Sequence, residues 1–117
     1  MTAPRILLVD DDPAERELMA IAQAEFAPDL ALTAVADLTA AAAALAAGAW
    51  RLVLTDLHLG RERGTGLLRH PRLGAVPLVI LSTTDDEAER TRCLAEGARA
   101  FLVKPPRYDA LAGLWTQ

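Results

Sequence analysis

The stretch Ile6-Leu7-Leu8-Val9-Asp10-Asp11-Asp12-Pro13 decides how this chain is read. Four apolar residues without alternation mark a strand covered on both faces. Asp12 before Pro13 marks a helix start, the acid as N-cap and the proline at N1, where its missing N–H leaves nothing unpaired. A strand running straight into a helix begins a βαβ unit, and the same signal recurs down the chain. Further strand-like runs are residues 32–35, Leu52-Val53-Leu54, Leu78-Val79-Ile80-Leu81 and Ala100-Phe101-Leu102-Val103. Between them the pattern predicts helices over residues 13–26, 38–47, 87–96 (ended by Gly97) and 108–115. In the first, Leu18, Ala22 and Phe26 share one face, with Glu15, Arg16 and Glu17 directed outward. Residues 64–70 hold about two further turns before Pro71 ends them. Strand and helix alternating five times give a parallel sheet with helices on both faces. Ligands of such sheets bind beyond the carboxyl ends of the strands.

Composition bounds the rest. With 117 residues, 52% hydrophobic and 24% charged, the chain has the size of one domain, residues 1–117, and material for a real core. The net charge of −4 argues against a nucleic-acid-coating surface. A single cysteine, Cys93, excludes an internal disulfide and a cysteine-built zinc site, and reads as a small packing residue. No apolar run reaches the length of about 18–20 residues that a membrane helix needs. The chain enters a strand almost directly after Met1, which leaves no room for a signal peptide and predicts a cytoplasmic protein.

Chemistry gathers at the strand ends: Asp10-Asp11-Asp12 after the first, Asp56 after the third, Ser82-Thr83-Thr84 after the fourth, Lys104-Pro105-Pro106 after the fifth. Capping explains Asp12 but not Asp10 and Asp11. Neighbouring carboxylates repel and raise one another's pKa unless a cation fills the site. Oxygen donors without histidine or cysteine suit a hard ion such as Mg²⁺. A carboxylate such as Asp56 is also able to take a phosphoryl group, provided the charge is neutralised. Lys104 supplies an amine for that purpose and Ser82 a hydroxyl donor. His58 and His70 are single histidines without a partner, read as solvated. Asp85 and Asp86 read as caps and first-turn acids of the following helix. Trp50 and Trp115 read as packing residues, and Arg90, Arg92 and Arg99 as a solvated face.

Four stretches in order, residues 6–13, Leu52-Val53-Leu54-Thr55-Asp56 with Gly64 eight residues on, Val79-Ile80-Leu81-Ser82, and Phe101-Leu102-Val103-Lys104-Pro105, resemble the receiver domain of two-component response regulators. The resemblance implies a flavodoxin-like, doubly wound five-stranded sheet of order 2-1-3-4-5, with the third and fifth helices shortened here. It implies Asp56 as the phosphorylation site. Mg²⁺ would be held by Asp10, Asp11, Asp56 and the backbone carbonyl of His58. Lys104 would pair with the phosphoryl oxygens and Ser82 would swing toward them. Phe101 would change rotamer with that swing, and the Lys104–Pro105 bond would be cis. The residues two past Asp56 and Ser82, His58 and Thr84, tune dephosphorylation in the family. The implied partner is a sensor histidine kinase or phosphotransfer protein, with a homodimer through the fourth helix, fifth strand and fifth helix, and no nucleic acid or membrane. The implied chemistry is stoichiometric self-phosphorylation rather than turnover. Where the family has proline four residues after the phosphorylated aspartate this chain has Gly60, which predicts a looser loop.

Two other readings compete. One is a Mg²⁺-dependent phosphohydrolase of the haloacid-dehalogenase type, using Asp10, Asp12, Ser82 and Lys104. Against it, Asp85-Asp86 precede Lys104 rather than follow it, and Ala14 stands where that motif has Thr or Val. The other is a binding module that has lost phosphotransfer.

Overall fold

Five strands form one parallel sheet: β1 (Arg5–Val9), β2 (Ala31–Val35), β3 (Leu52–Asp56), β4 (Leu78–Ser82) and β5 (Ala100–Val103), in the order β2-β1-β3-β4-β5. The computed structural model describes residues 3–104. The sheet is the doubly wound, flavodoxin-like arrangement that the sequence predicts. The expected helix at 108–115, with Trp115, Pro106 and the Lys104–Pro105 bond, lies outside the described residues.

Helix α1 (Pro13–Phe26) covers one face of the sheet; α2 (Leu38–Ala47), a short 3₁₀ helix (Gly64–Arg69) and α3 (Glu87–Glu96) cover the other. The alternation of strand side chains makes this division. Ile6 and Leu8 of β1 pack with Met19 and Ala22 of α1. Leu7 and Val9 pack with Ala41 and Leu45 of α2, in the layer that also holds Cys93 and Phe101. The central strands β1, β3 and β4 are buried almost throughout, as their unbroken apolar runs require. Of the predicted inward stripe of α1, Ala22 is buried and Phe26 packs against the same layer, but its first position is filled by Met19 and not by Leu18, which is 38% exposed.

Side-chain caps fix the helix starts. Asp12 accepts from Ala14 N–H, Asp37 from Ala40 N–H, and Asp86 from the N–H groups of Ala88 and Glu89. Because β2 lies on one side of β1 and β3 on the other, the crevice of the fold opens beyond the carboxyl ends of β1 and β3.

The connection after β3 departs from the looser loop that Gly60 predicts. His58–Leu59 pairs antiparallel with Glu62–Arg63 across a two-residue turn. Gly60 sits there at φ +61°. A glycine with positive φ at the first turn position is what tight hairpins favour, and proline has neither that φ nor an N–H to donate. The third helical segment is indeed short: six residues of 3₁₀ helix, closed at its end by His70 N–H to the Leu67 carbonyl. Its first residue, Gly64, is packed against the floor of the crevice. A Cβ there would lie 2.1 Å from the Asp56 carbonyl oxygen and 2.6 Å from Thr55 Oγ1.

Gly64→Ala is therefore expected to cost about 2 kcal/mol or more of stability, because backbone has to move. Gly66→Ala, whose added Cβ meets only a Leu38 methyl at 3.0 Å, is expected to cost clearly less. Urea unfolding of the two variants checks this; equal losses would contradict the close approach.

Candidate functional site

The strand ends deliver their polar residues to one cleft of about 190 Å³, lined by Asp10, Asp11, Glu15, Asp56, His58, Ser82 and Lys104 among others. Asp10 extends β1, its N–H bonded to the Val35 carbonyl. Its side chain is fully buried. Oδ1 accepts the Asp12 N–H at 2.9 Å, and Oδ2 lies 3.2 Å from Lys104 Nζ. Asp11 is exposed and its Oδ2 accepts the Gly60 N–H at 3.1 Å, tying the β1 end to the hairpin turn. Asp56 ends β3 in register with Leu81 and is 7% exposed. Lys104 follows β5, its N–H bonded to the Ser82 carbonyl at 2.7 Å and its side chain 8% exposed.

Lys104 Nζ sits 2.5 Å from Asp56 Oδ1. This is an ion pair off the line of a hydrogen bond, so the buried Oδ1 has no hydrogen-bond donor of its own. Nζ also meets the Glu15 carboxylate. Burial pushes the Asp56 carboxyl up to about 7, with the Asp10 charge adding to the rise and Lys104 opposing it. Burial alone would lift Asp10 as well, but the Asp12 N–H and the Lys104 ammonium outweigh it and hold Asp10 below the usual carboxylate value. Burial pulls Lys104 down, and the contacts with Asp56, Glu15 and Asp10 overcome that, leaving it raised.

One oxygen each of Asp10, Asp11 and Asp56 lie within 4.8 Å of one another. Three carboxylates at that separation, with no nitrogen or sulfur donor and with Asp56 Oδ1 lacking a hydrogen bond, fit a hard divalent cation.

Other predicted residues are placed less directly. The His58 side chain is exposed at the cleft mouth, and its backbone pairs with Arg63 in the hairpin. Ser82 lines the cleft, but its hydroxyl is turned back: Oγ donates to the Thr84 carbonyl (2.9 Å) and accepts the Thr84 N–H (3.1 Å). Phe101 is buried in the layer beneath, with the Arg90 guanidinium 5.0 Å from its ring centre and also donating to its carbonyl. Asp12 and Asp86 are caps, and Asp85 pairs with Arg90 at 2.9 Å, so neither member of the Asp85-Asp86 pair serves the cleft.

Two residues escaped the sequence reading. Glu15, expected to face outward, turns to Lys104. The signal was there in the Asp12-x-x-Glu15 spacing, which resembles a capping box. In a capping box Glu15 would accept the N-cap N–H, but Asp10 Oδ1 already holds the Asp12 N–H, and the Glu15 carboxylate is free for the ammonium. Arg63 bridges the hairpin to α3 through Glu89 at 3.0 Å. No local pattern announces that contact, which spans 26 residues of sequence.

The chain matches the family described as the response regulator receiver domain over residues 6–114. It is 32% identical over 125 residues to the two-component response regulator-like protein APRR3 of Arabidopsis thaliana, covering 95% of this chain but only 23% of that protein. Among solved structures it resembles the phosphorylated cyanobacterial phytochrome response regulator RcpA (TM-score 0.82, 25% identity, covering 96% of this chain and 88% of that one). It also resembles the Mn²⁺-bound form of response regulator Rcp1 (TM-score 0.77, 25% identity, covering 96% and 88%). With a parallel sheet of order β2-β1-β3-β4-β5 and three aspartates and a lysine at its carboxyl edge, the chain belongs to the response regulator receiver domain family.

Proposed function

We propose that residues 1–117 form one receiver domain that accepts a phosphoryl group on Asp56 from the phosphohistidine of a sensor kinase or phosphotransfer protein, in the cytoplasm. The observation that carries this reading is the convergence of Asp10, Asp11, Asp56 and Lys104 in one cleft, with Asp56 Oδ1 buried and without a hydrogen-bond donor. The Asp56 carboxylate attacks phosphorus, the P–N bond to the donor imidazole breaks, and an aspartyl phosphate is left. Lys104 stands where its ammonium offsets charge on the phosphoryl oxygens. Asp10, Asp11 and Asp56, with the His58 backbone carbonyl, would hold Mg²⁺, which when bound neutralises charge on the transferring group. Transfer is stoichiometric. The phosphorylated state would release the Ser82 hydroxyl from Thr84 and draw it toward the phosphoryl group. That would disturb the packing of Phe101 and bias a surface of α3 and β5, through which a second copy docks. His58 and Thr84 would set how fast water removes the group. The phosphorylated and Mn²⁺-bound states named for the two structural relatives support this chemistry. The dehalogenase-type reading fares worse, since its Asp12 is occupied as a cap and its acid pair lies outside the cleft.

Incubation with acetyl phosphate and Mg²⁺ is expected to add one phosphoryl group, read by intact mass, and Asp56→Asn to abolish it. No adduct on the wild type, or an adduct that survives the substitution, would contradict the assignment. Mg²⁺ is expected to raise the melting temperature and Asp11→Asn to remove most of that rise; a curve unmoved by millimolar Mg²⁺ would contradict the cation site.

Asp56 gives a pH prediction for the protein in EDTA. Its folded pKa of about 7 stands above its ordinary value of 3.8, so its contribution to stability is complete below 3.8 and lost as pH rises through 7. Asp56→Asn is thus expected to melt about 5 °C above wild type at pH 8, with the gap shrinking at pH 5. A gap independent of pH would contradict the assignment of that pKa.

A further inference from the structure

Lys104 has three N–H donors and three carboxylates around it. Asp10 and Asp56 belong to the site as proposed. Glu15 has no part in it, yet its carboxylate reaches the same nitrogen from the first turn of α1. The three partners are not held alike. Asp10 is fully buried and fixed through Oδ1 by the Asp12 N–H. Asp56 is nearly as buried at the end of β3. The Glu15 side chain is 38% exposed, and beside Lys104 it faces the Asp10 carboxylate. When it lets go, water replaces the ammonium at little cost, and the charge stays beside the helix N-terminus, where it is favoured.

We propose that Glu15 is a latch on Lys104: its carboxylate occupies the ammonium donor that a phosphoryl group on Asp56 requires, and it must release Lys104 for phosphorylation to proceed. The inference rests on Asp56 as phosphoacceptor. A phosphoryl group on Asp56 brings new anionic oxygens to a nitrogen whose three donors already face carboxylates. Of those, Glu15 is the one exposed enough for water to take over its carboxylate when it lets go, whereas Asp10 and Asp56 are buried. Glu15 is thus a positioning residue that competes with the phosphoryl group. It holds the ammonium in the resting protein, where Asp10 and Asp56 would otherwise share it alone, and it slows formation of the adduct.

The test follows adduct formation on Asp56 by intact mass against time, over a range of acetyl phosphate concentrations in Mg²⁺. In each transfer Asp56 oxygen bonds to phosphorus and acetate leaves. Glu15→Gln is expected to raise the second-order rate constant about 5-fold, the scale of a partly exposed ion pair. Glu17→Gln, an equal change of charge at an exposed position of the same helix, is expected to stay within about 2-fold of wild type, which separates release of Lys104 from a general loss of repulsion. Glu15→Asp keeps the charge but is one methylene shorter, and is expected to fall between Glu15→Gln and wild type. It also serves if the glutamine variant folds poorly, which melting in EDTA reads. A Glu15→Gln rate equal to or below wild type, or one matched by Glu17→Gln, overturns the latch while leaving Asp56 as acceptor. A wild type that forms no adduct overturns both.

Discussion

An ammonium group buried among carboxylates holds the carboxyl edge of this sheet together. Lys104 is 8% exposed and meets Asp10, Glu15 and Asp56, residues carried by three different parts of the fold. Without it, Asp10 and Asp56 would be two buried like charges, an arrangement that costs several kcal/mol unless it is neutralised. With it, one carboxylate is held below its usual pKa and the other is left poised near neutrality. The balance is incomplete by construction: two acids of the strand ends and one from α1 face a single lysine, and Asp11 stands beside them with no ammonium of its own. The remaining negative charge is what a divalent cation would answer.

The backbone supplies the geometry for this at small cost. Parallel strands end on the same side, so residues that follow β1, β3 and β5 arrive in one cleft without any long excursion of the chain. The hairpin after β3 adds a clamp. Gly60 takes a positive φ and gives its N–H to Asp11, and Gly64 lets the chain return within van der Waals contact of Asp56. Arg63, between them, reaches Glu89 on α3. The loop that borders the cleft is thereby tied both to the acid cluster and to the helix that follows Ser82.

Much of this was legible in the residues themselves. The unbroken apolar runs gave β1, β3 and β4 because strands buried on both faces have no polar side to show. The caps at Asp12 and Asp86 were legible because an acid before a helix has one local use, and the strand-end acids because burying several without a cation is unfavourable. What was hidden depended on competition between partners. Glu15 looked like an outward residue, and only the capture of the Asp12 N–H by Asp10 leaves its carboxylate free for Lys104. Gly60 looked like a loosened loop, whereas the hairpin needs both its φ and its N–H. Leu18 reads as inward because a period of 3.6 admits either Leu18 or Met19 one turn before Ala22, and the core takes Met19.

Calorimetric titration of Mg²⁺ into wild type and Lys104→Met at pH 8 tests the charge balance most directly. If the ammonium and the cation answer the same carboxylates, removing Lys104 tightens Mg²⁺ binding, by about 10-fold for a change of roughly 1.4 kcal/mol. Unchanged or weaker binding would mean that Lys104 and the metal-binding oxygens do not share one site, and the account of the cleft would fail with it.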